Sequence, residues 1–219
     1  MIASHLFLVA ALTVSGSAPA SVALPLASLS ASQAAAVSPR QTMNGFARCL
    51  AAARIDVARG VLALPTASNE QMTAAAAMLN GGDPCGGDGE FELELRGINL
   101  IGGLAEGLLD AQPQARNVAT LASWDDEAIG RSALRPRNGN EDLGLCVVRR
   151  APQEAQRVLE TAPDSAAEQQ AISAIVPHLG PCTPAGASLR FDRPTIRAQL
   201  AIALYRASTF LRTASATGN

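Results

Sequence analysis

The reactive side chains of this sequence are few and widely spaced. Cys49, Cys85, Cys146 and Cys182 form two pairs, each separated by 36 positions. None belongs to a C-x-x-C, so the spacing offers neither a zinc knuckle nor a thioredoxin-type redox motif. His178 follows Pro177 near the end of a helical pattern, where an imidazole commonly meets free carbonyls. No nucleophile is evidently linked to it for general-base work. Asp83, Asp88, Glu90, Glu92 and Glu94 crowd a glycine-rich stretch, but their spacing departs from the D-x-[DN]-x-[DN]-G-x5-E calcium loop. A carboxylate pair of the glycosidase kind would fit among them, and nothing in the spacing separates such a pair from a solvated edge. The last group is cationic. Arg193, Arg197, Arg206 and Arg212 fall largely outside the apolar face of the final helical pattern. They offer a surface to an acidic envelope component or to the acidic half of the same chain, or they simply meet water. These residues predict no cofactor and no metal.

The cysteines point to a different organising principle. Residues from Cys49 to Cys85 align with Cys146 to Cys182 at a constant offset of 97. Ser68-x-x-Gln71 falls on Ser165-x-x-Glu168, Val61-Leu62 on Val158-Leu159, and Pro84-Cys85 on Pro181-Cys182. Both S-x-x-Q/E stretches have the form of a helix capping box. If each half is one folding unit, Cys49 bonds Cys85 and Cys146 bonds Cys182; a pairing swapped across the halves would also preserve the symmetry. Closing such a loop stabilises by about 4 kcal/mol in the chain-entropy model.

Helical periodicity surrounds these anchors. Phe46, Cys49, Leu50, Ala53, Val57, Val61 and Leu64 recur at three- and four-residue steps and predict one helix from near Thr42, ended by Pro65. A second helix follows Ser68, with Met72, Ala75, Ala76 and Leu79 inward. Phe91, Leu93 and Leu95 alternate with glutamates as a short extended piece, and a helix from Ile98 to Asp110 turns Ile101, Leu104, Ala105 and Leu108 to one side. In the connector, Ser123 is expected to cap a short helix, Arg135 to Asn140 to form a loop, and Trp124 to cover a gap between the halves. The second unit repeats the plan. Leu143, Cys146 and Val147 lie on a helix interrupted at Ala151-Pro152, and a helix capped by Ser165 turns Ala171, Ile172, Ile175, Val176 and Leu179 inward. After a short extended piece from Leu189 to Phe191, a final helix opens at Pro194.

The expected fold is all-α: two tandem disulfide-stapled helical repeats of about three to four helices each, with at most short extended segments. The expected division is 1–23 signal peptide, 24–41 flexible Ala/Ser-rich linker, 42–111 repeat 1, 112–140 connector with a short helix, 141–213 repeat 2, and 214–219 tail. Leu6 to Val14 is an apolar run too short to span a bilayer, followed by small residues at Ala18-Pro19-Ala20, as in a secretory signal. An N-terminal anchor is the alternative. Oxidised cysteines fit a periplasmic or secreted product with no transmembrane segment in its mature chain.

The net charge of −2 gives nucleic acid no purchase. The charge is unevenly divided: residues 43–111 carry 4 Arg against 9 acids, and 141–212 carry 8 Arg against 7 acids. Opposite-leaning halves favour docking on each other.

From Cys146-Val147-Val148-Arg149-Arg150 through Ala201-Ile202-Ala203-Leu204-Tyr205-Arg206, the chain resembles exported alphaproteobacterial proteins that carry a duplicated Cys-containing helical unit. The resemblance implies export and a duplicated helical fold, and brings no catalytic residues with it. The leading functional expectation is a non-enzymatic exported binding or interaction module of the cell envelope. Arg193, Arg197, Arg206 and Trp124 form its candidate surface for another envelope protein or a small ligand. The alternatives are a carboxylate-dependent hydrolase acting on an envelope polymer and a purely structural spacer.

Overall fold

The computed structural model describes residues 37–79, 84–86, 97–112, 118–184, 186 and 192–216. The expected signal peptide, most of the linker, the alternating segment around Phe91, the acids Asp83 to Glu94, and the extended piece at Leu189 lie outside these residues. The described residues are largely helical, with nine α-helices and two disulfides. No helix among them is long and apolar enough to cross a membrane.

Helix α1 (Pro39–Ala53) begins three residues before the expected Thr42. Its start is a local signal that apolar periodicity does not register. Ser38 Oγ accepts from the Gln41 amide at 3.2 Å, Gln41 Oε1 accepts from the Ser38 amide at 3.1 Å, and Pro39 occupies the first turn. The single helix expected through Leu64 is two. Arg54, at φ −135° and ψ 53°, breaks the chain between α1 and α2 (Ile55–Ala63), and its guanidinium donates to the Met78 carbonyl at 2.6 Å.

The break resets the helical phase. Ala47, Leu50 and Ala51 face inward from α1, and Ala58, Val61 and Leu62 from α2. Cys49 is therefore exposed, and Val57 is 51 % exposed. Helix α3 (Asn69–Leu79) buries Gln71, Ala75 and Met78, leaving the expected inward residues Met72 and Leu79 each 37 % exposed.

Helix α4 (Gly97–Asp110) runs through the interior, with every residue from Leu100 to Leu109 buried. It packs on α1 and on α9 (Arg193–Ala216). Glycine makes this approach possible. A Cβ on Gly102 would lie 2.5 Å from the Ala198 Cβ, and one on Gly107 would lie 2.7 Å from the Arg48 carbonyl oxygen. Each glycine costs about 1 kcal/mol in helix propensity, offset here by close packing in a core poor in aromatics.

The connector holds a 3-10 turn (Ala119–Ser123) and α5 (Asp126–Arg131). Asp125 caps α5, accepting from the Ala128 amide at 2.7 Å, so the expected cap Ser123 instead ends the preceding turn. Asn138 caps α6 (Gly139–Arg150), shortening the loop expected from Arg135. Ala151, at φ −142° and ψ 59°, separates α6 from α7 (Pro152–Glu160). Helix α8 (Ala166–Leu179) is capped by Ser165 as expected, with Ile172 and Ile175 inward and Val176 55 % exposed. Cys49 pairs with Cys85 and Cys146 with Cys182, at Cα–Cα distances of 5.9 and 5.6 Å.

Candidate functional site

The arginines of α9 divide between the interior and the surface. The central part of α9 is enclosed by α4, α6, α7 and α8, so it has no outer face there. Arg197 is consequently only 3 % exposed, contrary to its expected place on a partner surface. It donates to both carboxylate oxygens of Glu106 at 2.8 Å, and to the carbonyls of Val158 and Thr161 at 2.9 and 3.0 Å. A contact at 3.3 Å reaches Glu168, which also takes a two-pronged bond from Arg40. Arg40 in turn holds Asp164 at 2.6 Å.

Glu106, Arg197, Glu168, Arg40 and Asp164 thus alternate in sign along one continuous chain. Burial lowers the tendency of Arg197 to stay charged, but Glu106 and Glu168 outweigh it and raise its pKa. Burial would raise the Asp164 pKa, and bonds from Ser38 and Arg40 overcome this and lower it. The Glu106–Arg197 pair ties α4 to α9, and Arg40 with Asp164 and Glu168 ties α1 to the start of α8 with the opposite polarity.

Arg206 is also committed within the protein, bonding Glu141 at 2.8 Å. Glu141 is buried and also accepts from the amides of Thr66 and Arg137, at 2.9 and 2.8 Å, and from the Arg137 guanidinium. Burial alone would raise its pKa; the Arg137 bond and the two amides prevail and hold it at about 2. Burial pulls the Arg206 guanidinium below its ordinary value, with Glu141 opposing and Arg137 adding to the effect. Arg193 and Arg212 are exposed.

Two braces join the starts of α1 and α6 to turns far away in sequence. Gln41 donates to the Pro163 carbonyl at 2.8 Å, and Asn138 donates to the Thr66 carbonyl at 2.8 Å. Arg137 further donates to Ala63 and Leu64 at 2.6 and 2.9 Å, satisfying carbonyls at the end of α2.

Beside this second brace lies a cleft of about 1030 Å³. Trp124 stands edge-on to Phe210 at its wall, with centroids 5.4 Å apart and planes at 90°. Leu62, Leu134 and Tyr205 continue the apolar lining, while Arg59, Arg137, Arg206 and Arg212 supply cations. No carboxylate among the described residues lines it. Arg59 is paired with Asp56, and Arg137 and Arg206 share Glu141. Arg212 bonds Ser208 and Thr209 of its own helix and meets no carboxylate among the described residues. Arg149 holds the Trp124 carbonyl and is itself anchored by Asp126 at 2.7 Å, which fixes the Trp124 backbone. The arrangement can hold a molecule that is apolar over most of its length and negative at one place.

A second cleft of about 760 Å³ beside Cys146 and Cys182 is lined by charges of both signs, Asp126, Asp142, Arg149 and Arg150. His178 lies half-buried in the last turn of α8, without a hydrogen-bonded nucleophile among the described residues. No group of three or more His, Cys, Asp or Glu among those residues is placed to hold a metal ion. Sequence reasoning found Trp124 but missed the cleft. Its signal was length: an offset of 97 from Asp110, the end of α4, reaches Ala207, yet α9 continues to Ala216. Comparison with protein-family models, curated proteins and solved structures gives no match.

Proposed function

We propose that this protein is an exported, non-enzymatic binding module of the cell envelope, built from two tandem copies of one disulfide-stapled helical unit and using the Trp124–Phe210 cleft as its binding site. The duplication is supported at the level of backbone. Helices α2 and α7 have matching bounds at an offset of 97, and the breaks at Arg54 and Ala151 share their dihedral angles. Ala67 and Asp164, also 97 apart, both take a left-handed conformation, at φ 59° and 62°. The Gln41–Pro163 and Asn138–Thr66 braces exchange equivalent groups between the halves, as an isologous interface does between subunits.

One observation carries the functional reading. The cleft adds to walls from the duplicated helices, Arg59, Leu62, Tyr205 and Arg206, two parts that the duplication does not explain: the extension of α9 beyond Ala207, which supplies Thr209, Phe210 and Arg212, and the connector residue Trp124. The added positions complete, on that scaffold, one concave surface that is apolar and cationic. Export is supported by the two disulfides, which persist in oxidising compartments, by the signal-like Leu6–Val14 run, and by the resemblance of the second unit to exported alphaproteobacterial proteins.

The test is to place a photo-crosslinking residue at Thr209 in cells producing the protein. Molecules joined to it are then identified by mass spectrometry, with the exposed position Asp56 as the control. A species captured at Thr209 and not at Asp56 is expected. Equal capture at both sites, or none at Thr209, would remove the cleft from the reading.

A further inference from the structure

Resting on that reading of the cleft, we infer that its ligand is a single-chain amphipathic anion: an acyl or similar apolar tail along Leu62, Leu134, Tyr205, Phe210 and Trp124, and a carboxylate-type head on Arg212. The charge pattern selects the sign. Four guanidiniums line the cleft, while the carboxylates bonded to them are Asp56 and Glu141, so the cationic groups outnumber their acids among the described residues. Arg212 is the natural anchor, because among the described residues its nitrogens engage only a carbonyl and a hydroxyl of its own helix, at 3.4 and 3.2 Å. A carboxylate offers its planar fork a charge-assisted, two-pronged bond in place of these long contacts. A cationic amphiphile would meet the same four arginines, with no acid among the described residues of the wall.

The rest of the lining selects the body of the ligand. As far as Arg212, helix α9 uses its backbone amides and carbonyls within the helix, and the facing residues Leu62 and Leu134 are apolar. An extended peptide laid along Leu62 and Leu134 would bury its own amides against hydrocarbon without partners, an unfavourable exchange for each group. A hydrocarbon tail has no such groups. The floor from Tyr205 to Thr213 follows α9 for about 12 Å at 1.5 Å per residue, and the cleft volume of about 1030 Å³ lies at the upper end of small-molecule sites.

The chain's single tryptophan reports on the site directly. The purified, delipidated protein is titrated with dodecanoate below its micellar concentration while Trp124 emission is followed. Dodecanol and dodecyltrimethylammonium serve as the neutral and cationic counterparts. Dodecanoate should bind saturably, more weakly as salt is raised, and at least tenfold more tightly than the cationic analogue. Arg212→Ala should weaken dodecanoate about tenfold and leave dodecanol unchanged, with Arg212→Lys recovering part of the loss. Calorimetry gives a readout independent of the indole.

An absence of saturable binding to all three amphiphiles overturns the assignment, as does equal affinity for anion and cation or indifference to Arg212→Ala in a folded variant. A dimer that buries Trp124 and must dissociate before dodecanoate binds would identify a second copy as the occupant, and also overturns it. Failure with dodecanoate together with specific capture of a protein at Thr209 would remove the amphiphile and leave the binding-module reading standing. Saturable dodecanoate binding that is insensitive to the cleft variant Phe210→Ala would instead remove the cleft.

Discussion

Glu168 closes the turn at Asp164 as Gln71 closes the turn at Ala67, 97 residues earlier, but requires an arginine to finish the work. Gln71 Oε1 accepts from the Ala67 amide at 2.8 Å, and its Nε2 donates to the Val61 carbonyl at 3.1 Å. Glu168 accepts from the Asp164 amide at 2.9 Å but, as a carboxylate, has nothing to donate. Arg197 supplies the missing donor, reaching the Val158 carbonyl at 2.9 Å, and Glu106 balances its charge. At an offset of 97, Leu100 stands where Arg197 does, and Glu106 where Ala203 does. One half solves the turn with a neutral amide and the other with an ionic chain.

That relationship predicts a non-additive mutant series. Arg197→Leu alone leaves Glu106 buried without its cation, removes one of the two arginines on Glu168, and should cost about 3–5 kcal/mol. The triple variant Glu106→Ala, Glu168→Gln, Arg197→Leu rebuilds the neutral arrangement and should recover most of that loss in urea unfolding. A triple variant no more stable than the single one would show that the two turns are not interchangeable.

Glu141 predicts acid sensitivity with a definite sign. Its pKa is held at about 2, below its ordinary 4.5. Its contribution is therefore fully present above about pH 4.5 and is lost as pH falls through about 2. The stability gap between the parent and Glu141→Gln should be widest above pH 5 and shrink steadily below pH 4.5. A gap independent of pH across denaturation curves from pH 6 to 2 would contradict the assignment.

Glycines should respond with opposite signs according to what faces them. A Cβ on Gly45 in α1 meets nothing within 4 Å, whereas one on Gly102 comes 2.6 Å from the Ala198 Cα. Gly45→Ala should stabilise by about 0.5–1 kcal/mol through helix propensity. Gly102→Ala should destabilise by about 1–3 kcal/mol by forcing α4 from α9. Thermal unfolding distinguishes the two.

The left-handed residues make a matched test. Ala67→Gly relieves the backbone at φ 59° and should stabilise by up to about 1 kcal/mol. Asp164→Gly gains the same relief at φ 62° but loses the bonds to Ser38 and Arg40, at 2.7 and 2.6 Å, and should come out destabilised. Chemical denaturation of the two variants in one buffer reads the difference.

Each disulfide closes 36 residues. Replacing Cys146 and Cys182 with serine should cost about 4 kcal/mol in the chain-entropy model, and the same change at Cys49 and Cys85 should cost a similar amount. Equilibrium unfolding of the two double variants against the oxidised parent checks the pair.

The residues legible from the chain alone were those whose signal is local. The S-x-x-Q/E caps at Ser68 and Ser165 satisfy amides a few positions away, and Pro152 marks a helix start within its own turn. The cysteine spacing was equally plain, because a covalent staple needs only two matching residues. The break at Arg54 was not legible, since no proline or glycine marks it, and the apolar period was carried across it into the wrong phase.

The sequence by itself determined the helical class, the 97-residue offset and the matched cysteine spacing, because capping and periodicity act along the chain, while the choice between the two symmetric pairings came from the fold. Only the tertiary structure decided the fate of the arginines and the place of the site. Arg197 has the pattern of a solvated helix residue, yet it is enclosed because α4, α6, α7 and α8 surround that stretch of α9. The cleft requires Leu62, Trp124 and Phe210 to meet from three distant segments. Burial and concavity depend on which elements pack together, a relation that no single helix carries in its own residues.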